Sequence, residues 1–174
     1  MAGNASKVYI GVIGSNECSK DVYDAAREAG RCLARLGAIV ITGGRGGVME
    51  AVSLGVSECD GMCIGILPGL DRSEGNTYQT LSILTGIGAA RNSIIVASSH
   101  AILAISGGYG TLSEIGLALK GKVPVVGVNT WRIEAPGGKI ENGVMFEHYT
   151  DAVEGAKAAF RLGLVRAQRK CGFV

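Results

Sequence analysis

Proline, aromatic residues and charge are all scarce in this sequence. Its 174 residues include 3 prolines, 5% aromatic side chains and 18% charged ones, and the formal net charge is +2. The basic residues are scattered, whereas nucleic-acid-binding proteins usually cluster them on one face. No apolar run is long enough to span a bilayer, and the first residues do not resemble a signal peptide. We therefore expect a cytoplasmic protein without a nucleic-acid or membrane partner.

Cysteine is present in an odd number, five, so a complete set of intramolecular disulfides is excluded. Reduced thiols are typical of the cytosol. Cys59 and Cys63 lie close together in CDGMC, but a zinc site needs about four ligands, and no second pair of cysteines or histidines follows. We expect no metal site, with one packed cysteine at a helix end and the other in a strand.

Glycine is abundant, with 28 residues, and it lies mainly at turns between apolar runs. Those runs read as buried strands that alternate with helical segments, the pattern of a parallel sheet covered on both faces. The fold class predicted is α/β, a Rossmann-like three-layer sandwich forming one domain over residues 1–174. The elements that matter below are predicted helices at 88–100, 111–122 and about 150–169, and a predicted loop at 129–143.

Two glycine-rich stretches follow predicted strands and lead directly into helices. They read TGGRGGVME and SGGYGTLSE. In open parallel sheets the ligand lies at the carboxyl ends of the strands, and the start of a helix favours an anion. Each turn therefore indicates a phosphate site, although tight turns can need glycine for shape alone. The usual dinucleotide and P-loop fingerprints are absent.

An acidic residue and an arginine accompany the second turn. Thr111 and Glu114 have the spacing of a capping box, which would give Glu114 a purely structural role. Alternatively, the Glu114 carboxylate could stabilise a ribosyl oxocarbenium ion or activate water. Arg91, on the preceding helix, could place a cation beside the same strand end, or it could be an ordinary exposed arginine.

The segment GGYGTLSE resembles the GGxGTxxE motif of the Lonely Guy (LOG) family, and TGGRGGVMEAV resembles the first glycine motif of the same superfamily. The resemblance implies a Rossmann-like fold and cleavage of nucleoside 5′-monophosphates to base and ribose 5-phosphate. It implies catalytic roles for Arg91 and Glu114. The chain departs from LOG enzymes at Ser106, where they have proline, and at Asn92, where they have Arg-Lys.

Over residues 8–127 the sequence is similar to molybdenum cofactor carrier proteins, through ITGGRGGVMEAV, IGILPG, ILTGIGAARN and LALKGKVPVVG. That resemblance implies a carrier that holds molybdenum cofactor, a pterin with a terminal phosphate. Three functions stay open: a carrier, a phosphoribohydrolase, or a module that senses a nucleotide without cleaving it.

The predicted ligand is thus a phosphorylated heterocycle, either molybdenum cofactor or a nucleotide, and no other cofactor is required. The families resembled, together with apolar helix faces, predict a homo-oligomer, a dimer or a tetramer. The residues predicted to contact the ligand are Gly14, Ser15, Gly43, Gly44, Arg45, Asn92, Gly107, Gly108, Tyr109, Gly110 and Thr111.

Overall fold

Seven parallel strands form a central sheet. The computed structural model describes residues 7–134 and 145–171. The strands are β1 (Tyr9–Gly14), β2 (Ile39–Thr42), β3 (Met62–Leu67), β4 (Leu81–Leu84), β5 (Ala101–Ile105), β6 (Val125–Val128) and β7 (Phe146–Tyr149). Strands β2, β5 and β6 are buried along their whole length. This burial explains why they read as continuous apolar runs.

Helices cover both faces of the sheet. They are α1 (Lys20–Arg35), α2 (Val48–Ser57), α3 (Asn92–Ala97), α4 (Tyr109–Lys120) and α5 (Ala152–Cys171). Helices α1, α2 and α5 pack on one face and α3 and α4 on the other, each side with its own apolar core. The predicted α/β three-layer architecture is confirmed. Within the described residues, no helix is long and apolar enough to cross a membrane.

The strand order β4-β3-β2-β1-β5-β6-β7 places a switch in topology between β1 and β5. The chain builds outward from β1 to β4, then returns to lay β5 on the other side of β1. The loops after β1 and β5 therefore diverge, and a crevice opens between them at the carboxyl ends of the strands.

Two elements differ from the sequence predictions. The segment predicted as one helix over 88–100 is a short 3-10 turn, Gly88–Arg91, followed by the six-residue α3. Strand β7 was not predicted. It pairs only with β6, at the edge of the sheet, and none of its residues is fully buried. Part of the predicted loop over 129–143 lies outside the described residues.

Candidate functional site

A cleft of about 300 Å³ opens at the switch between β1 and β5. Three loops form it: the one after β1, the one after β2, and the one between β5 and α4. The 3-10 turn before α3 supplies a fourth side. The lining residues are Ile13, Gly14, Ser15, Asn16, Gly43, Arg45, Met49, Arg91, Asn92, Gly108, Gly110, Thr111 and Glu114.

Most of the predicted site residues meet in this cleft, including Arg91 and Glu114. Gly44, Gly107 and Tyr109 are not among the residues that line it. Sequence reasoning missed Ile13, Asn16 and Met49. Asn16 could have been noticed, because it follows the predicted residues Gly14 and Ser15 and is polar, whereas Ile13 and Met49 read as ordinary apolar residues of a strand and a helix.

The turn between β5 and α4 leaves the start of α4 bare. Gly108 is the N-cap residue and no side chain caps the helix. The Leu112 amide donates to the Gly108 carbonyl, so the amides of the first three residues have no acceptor within the helix. Because Gly108, Gly110 and Thr111 line the cleft, these amides and the helix dipole favour an anion there.

Gly107 is required by the shape of this turn. Its φ is +113°, and a Cβ at this position would overlap the side chain of Thr111. Thr111 is 2% exposed and is the third residue of α4. The alternative that Thr111 and Glu114 form a capping box is therefore wrong, because the helix begins earlier than predicted and Thr111 lies inside it.

The predicted carboxylate and cation are both buried and line the same cleft. Glu114 is 7% exposed and Arg91 is 9% exposed. Burial raises the pKa of the Glu114 carboxyl to about 7, although the positive charge of Arg91 opposes this rise. Burial also lowers the pKa of the Arg91 guanidinium, with the Glu114 carboxylate acting in the opposite direction and Arg45 in the same one. At neutral pH the carboxyl group can therefore accept or donate a proton.

Arg91 is incompletely paired. Its Nε and Nη1 atoms are buried and have no hydrogen-bond partner among the described residues. An unpaired buried donor costs free energy, the more so when it is charged. A guanidinium group in this state, in a cleft that also contains a bare helix start, is a suitable partner for an anion.

Gly43 makes room for Arg91. A Cβ at Gly43 would overlap the Arg91 guanidinium and lie 2.6 Å from the Met49 sulfur. At the start of α2 the Val48 amide donates to the Ser15 carbonyl at 3.0 Å, and no side chain caps the helix. The Gly46 amide, just before the helix, donates to Asn16 Oδ1 at 3.1 Å. The first glycine turn thus leaves space for Arg91 and carries Arg45, and its role as a second anion site stays a prediction.

Tyr109 projects away from the cleft. Its side chain is 84% exposed, and its ring lies 5.9 Å from that of Trp131. The Trp131 indole donates to the Gly108 carbonyl at 3.2 Å. Successive helix residues are rotated by about 100°, which puts Tyr109 on the opposite side of α4 from Glu114.

A larger cavity, of about 460 Å³, lies beyond β6 and β7 and contains none of the predicted site residues. Its charged lining residues are Arg132, Asp151 and Glu154, and Asp151 already accepts the Val153 and Glu154 amides at the start of α5. The smaller cleft is the better candidate, because it contains the unpaired guanidinium and a carboxyl with a shifted pKa.

Cys59 and Cys63 show no sign of a metal centre. The Cys63 sulfur lies 3.3 Å from Ser53 Oγ, and burial raises the pKa of its thiol to about 11. Over residues 7–134 and 145–171, no group of three histidine, cysteine, aspartate or glutamate side chains is placed to hold a metal ion.

Comparisons with known proteins show the family to which the chain belongs. An uncharacterized protein of Archaeoglobus fulgidus is 45% identical over 111 residues, 64% of this chain and 73% of that protein. The Moco carrier protein of Chlamydomonas reinhardtii superposes with a TM-score of 0.78 and 35% identity, covering 92% of this chain and 99% of that one. The molybdenum cofactor binding protein of Rippkaea orientalis superposes with a TM-score of 0.77 and 32% identity, and the match covers 89% of this chain and 96% of that one. The family model for the SLOG cluster4 family matches residues 7–165, and the chain belongs to that family.

Proposed function

We propose that this protein binds a phosphorylated heterocyclic ligand in the cleft between β1 and β5 and acts as a carrier for it, with molybdenum cofactor as the first candidate. The observation that carries the proposal is the buried Arg91 guanidinium, whose Nε and Nη1 atoms lack partners among the described residues. A phosphate group would supply acceptors for them, and charge-assisted hydrogen bonds of this kind are strong.

The cleft suits one end of such a ligand. Arg45 and Arg91 supply two cations, and Gly108, Gly110 and Thr111 bring the bare start of α4 to the same space. Glu114 is the only acid among the cleft-lining residues. Its raised pKa reduces its negative charge near neutral pH, so it repels an anion less than an ordinary carboxylate would. The Moco carrier protein of Chlamydomonas and the molybdenum cofactor binding protein of Rippkaea share the fold and about a third of the sequence, and they support molybdenum cofactor as the ligand.

A second candidate function is hydrolysis of nucleoside 5′-monophosphates. The observation that favours it is the pKa of Glu114, about 7, because a group that titrates near the working pH is an efficient general acid or base. Bound beside a nucleotide, the carboxylate would take a proton from the attacking water or stabilise the ribosyl cation while the N-glycosidic bond breaks. The products would be free base and ribose 5-phosphate.

The test is incubation with AMP and a panel of other nucleoside 5′-monophosphates, followed by chromatography for free base. Glu114→Gln is run in parallel, with Glu17→Gln as a control that removes an exposed carboxylate. Release of base that is lost only in Glu114→Gln would establish the hydrolase and displace the carrier. Binding without release supports the carrier or a nucleotide sensor, and transfer of bound molybdenum cofactor to an acceptor enzyme separates those two.

The quaternary structure we propose is a homo-oligomer, at least a dimer, in which a second copy covers the face of α3 and α4. Ile94 and Leu117 are exposed on these helices, at 36% and 37%. On β4, Leu81 and Ile83 are 52% and 44% exposed, and they pair with β3 residues whose side chains contribute to the α3 and α4 core. The apolar surface therefore continues from the helices onto the sheet.

Light scattering coupled to size exclusion tests this arrangement. The wild type is expected to be at least a dimer at micromolar concentration, and Leu117→Lys to be smaller. Val165→Lys is the matched control, since Val165 is 44% exposed on α5, on the opposite face. A monomeric wild type, or a loss of mass only in Val165→Lys, would contradict the proposal.

A further inference from the structure

The loop between β3 and β4, residues 70–80, is bonded to the first glycine turn. The Gly44 carbonyl accepts hydrogen bonds from the Asn76 amide at 2.9 Å, from Asn76 Nδ2 at 3.2 Å and from Gln79 Nε2 at 2.6 Å. Asn76 Nδ2 also donates to the Arg45 carbonyl at 2.9 Å. Two side chains from a distant part of the sequence thus hold the peptide groups on both sides of Arg45.

Gln79 is itself fixed in place. Ser82 Oγ donates to its Oε1 atom at 3.0 Å, and its Nε2 atom also donates to the Asn76 carbonyl at 3.1 Å. The amide lies in space left by Gly65 of β3, where any Cβ would overlap it. Gly44 has a φ of +74°, and a Cβ added at this position would lie 3.0 Å from the same amide. The two glycines and the Gln79 side chain therefore fit together as one packed unit.

The bonded turn leads into the cleft. Arg45 lines it, and the positive charge of Arg45 acts on Arg91. Neither Asn76 nor Gln79 is among the residues that line the cleft. We propose that Asn76 and Gln79 are positioning residues, which hold the Gly44–Arg45 backbone so that Arg45 faces the anionic group of the ligand. This inference rests on the proposed function of the cleft as the site of a phosphorylated ligand.

A double-mutant cycle separates positioning from mere structural support. The probe is AMP, titrated by calorimetry, with its integrity checked by chromatography after each run. Gln79→Met keeps the length of the side chain and removes the amide, and we expect it to lower AMP affinity about fivefold or more. Arg45→Ala should lower affinity at least as much. In the Arg45→Ala background, Gln79→Met should cost little further affinity, because the group that it positions is gone.

The control is Asn129→Ala, which removes a comparable side-chain bond, from Nδ2 to the Thr150 carbonyl, outside the cleft. It should leave AMP affinity unchanged. Any loss of unfolding free energy caused by Gln79→Met should be the same in the wild-type and Arg45→Ala backgrounds, since the described hydrogen bonds of Gln79 do not involve the Arg45 side chain. Equal losses of affinity with and without Arg45, or no loss at all, would overturn the proposal.

Hydrogen exchange of the ligand-free protein gives an independent readout. Gln79→Met should speed exchange of the amides in residues 43–47 and leave those in residues 106–111 unchanged. Failure of the wild type to bind either AMP or inorganic phosphate would count against the proposed function, while unchanged exchange in residues 43–47 would overturn the positioning role by itself. The two failures are therefore distinguishable.

Discussion

Replacing Glu114 by glutamine is expected to remove a large part of the pH dependence of stability. The carboxyl is 7% exposed, and burial raises its pKa from an ordinary value of 4.5 to about 7 in the folded protein. A difference of one pKa unit between the folded and unfolded states corresponds to about 1.4 kcal/mol. The shift therefore amounts to about 3 kcal/mol of folding free energy.

The sign follows from which state keeps the proton. Below pH 4.5 the carboxyl is protonated in both states and burial imposes no charge. Between pH 4.5 and 7 the unfolded chain releases the proton while the folded protein retains it, so stability falls as the pH rises. Above pH 7 the folded protein contains the buried carboxylate and the loss is complete. Glutamine, which is neutral throughout, avoids this loss.

Urea unfolding at several pH values between 4.5 and 8 measures the effect. The unfolding free energy of Glu114→Gln minus that of wild type should rise by about 3 kcal/mol across this range, because contributions from the histidines cancel in the difference. Glu17→Gln, which removes a carboxylate at an exposed position, is measured in parallel as the control for the loss of one negative charge. If the unfolding free energy of Glu114→Gln minus that of wild type stayed constant from pH 4.5 to 8, the reasoning would be refuted. That result would mean that the buried carboxylate costs the folded protein no free energy.

Two further substitutions test Arg91 and its surroundings. Arg91→Met removes a buried cation with two unpaired nitrogens, so AMP affinity measured by calorimetry should fall at least tenfold. At pH 5.5, where Glu114 is protonated in the folded protein and leaves no buried charge without its partner, urea unfolding should show stability unchanged or increased; a large loss of stability at this pH would contradict the prediction. Gly43→Ala would push the Arg91 guanidinium aside, lowering affinity and costing about 1 kcal/mol in urea unfolding. The control is Gly116→Ala on α4, where an added Cβ has no atom within 4 Å. This variant should increase the unfolding free energy by about 0.5–1 kcal/mol and keep the wild-type AMP affinity. Equal effects of the two alanine substitutions would exclude a specific role for Gly43.

The sheet could be predicted from the sequence because its central strands are buried on both faces. Such strands appear as short apolar runs, and β1, β2 and β5 are each followed by a glycine-containing turn and a helix. Strand β7 was not predicted, because an edge strand is not buried on both faces. Its segment FEHY is polar in part and pairs only with β6 at the edge of the sheet. The helix observed within residues 88–100 is shorter than predicted, because Gly88–Arg91 forms a 3-10 turn. Arg91, the last residue of this turn, lines the cleft.

The location of the site was also predictable, because the carboxyl ends of parallel strands meet at one edge of the sheet. The orientation of its residues was not. Helix α4 begins at Tyr109 rather than at Thr111, which buries Thr111 inside the helix and turns Tyr109 towards Trp131. Asn16 acts on the first glycine turn through the Gly46 amide, a contact that depends on the pairing of β1 with β2 and has no local signature.

The two glycine turns have different physical tasks, although their sequences look alike. After β5, Gly107 and Gly108 leave the start of α4 bare, so that backbone amides face the cleft. After β2, Gly43 gives way to the Arg91 guanidinium, and Gly44 accepts the bonds from Asn76 and Gln79. The turn after β5 thus offers backbone donors, whereas the turn after β2 leaves space for the Arg91 side chain and carries Arg45. An anion that contacts both would supply the acceptors that Arg91 lacks, and its binding should therefore stabilise the fold as well as occupy the site.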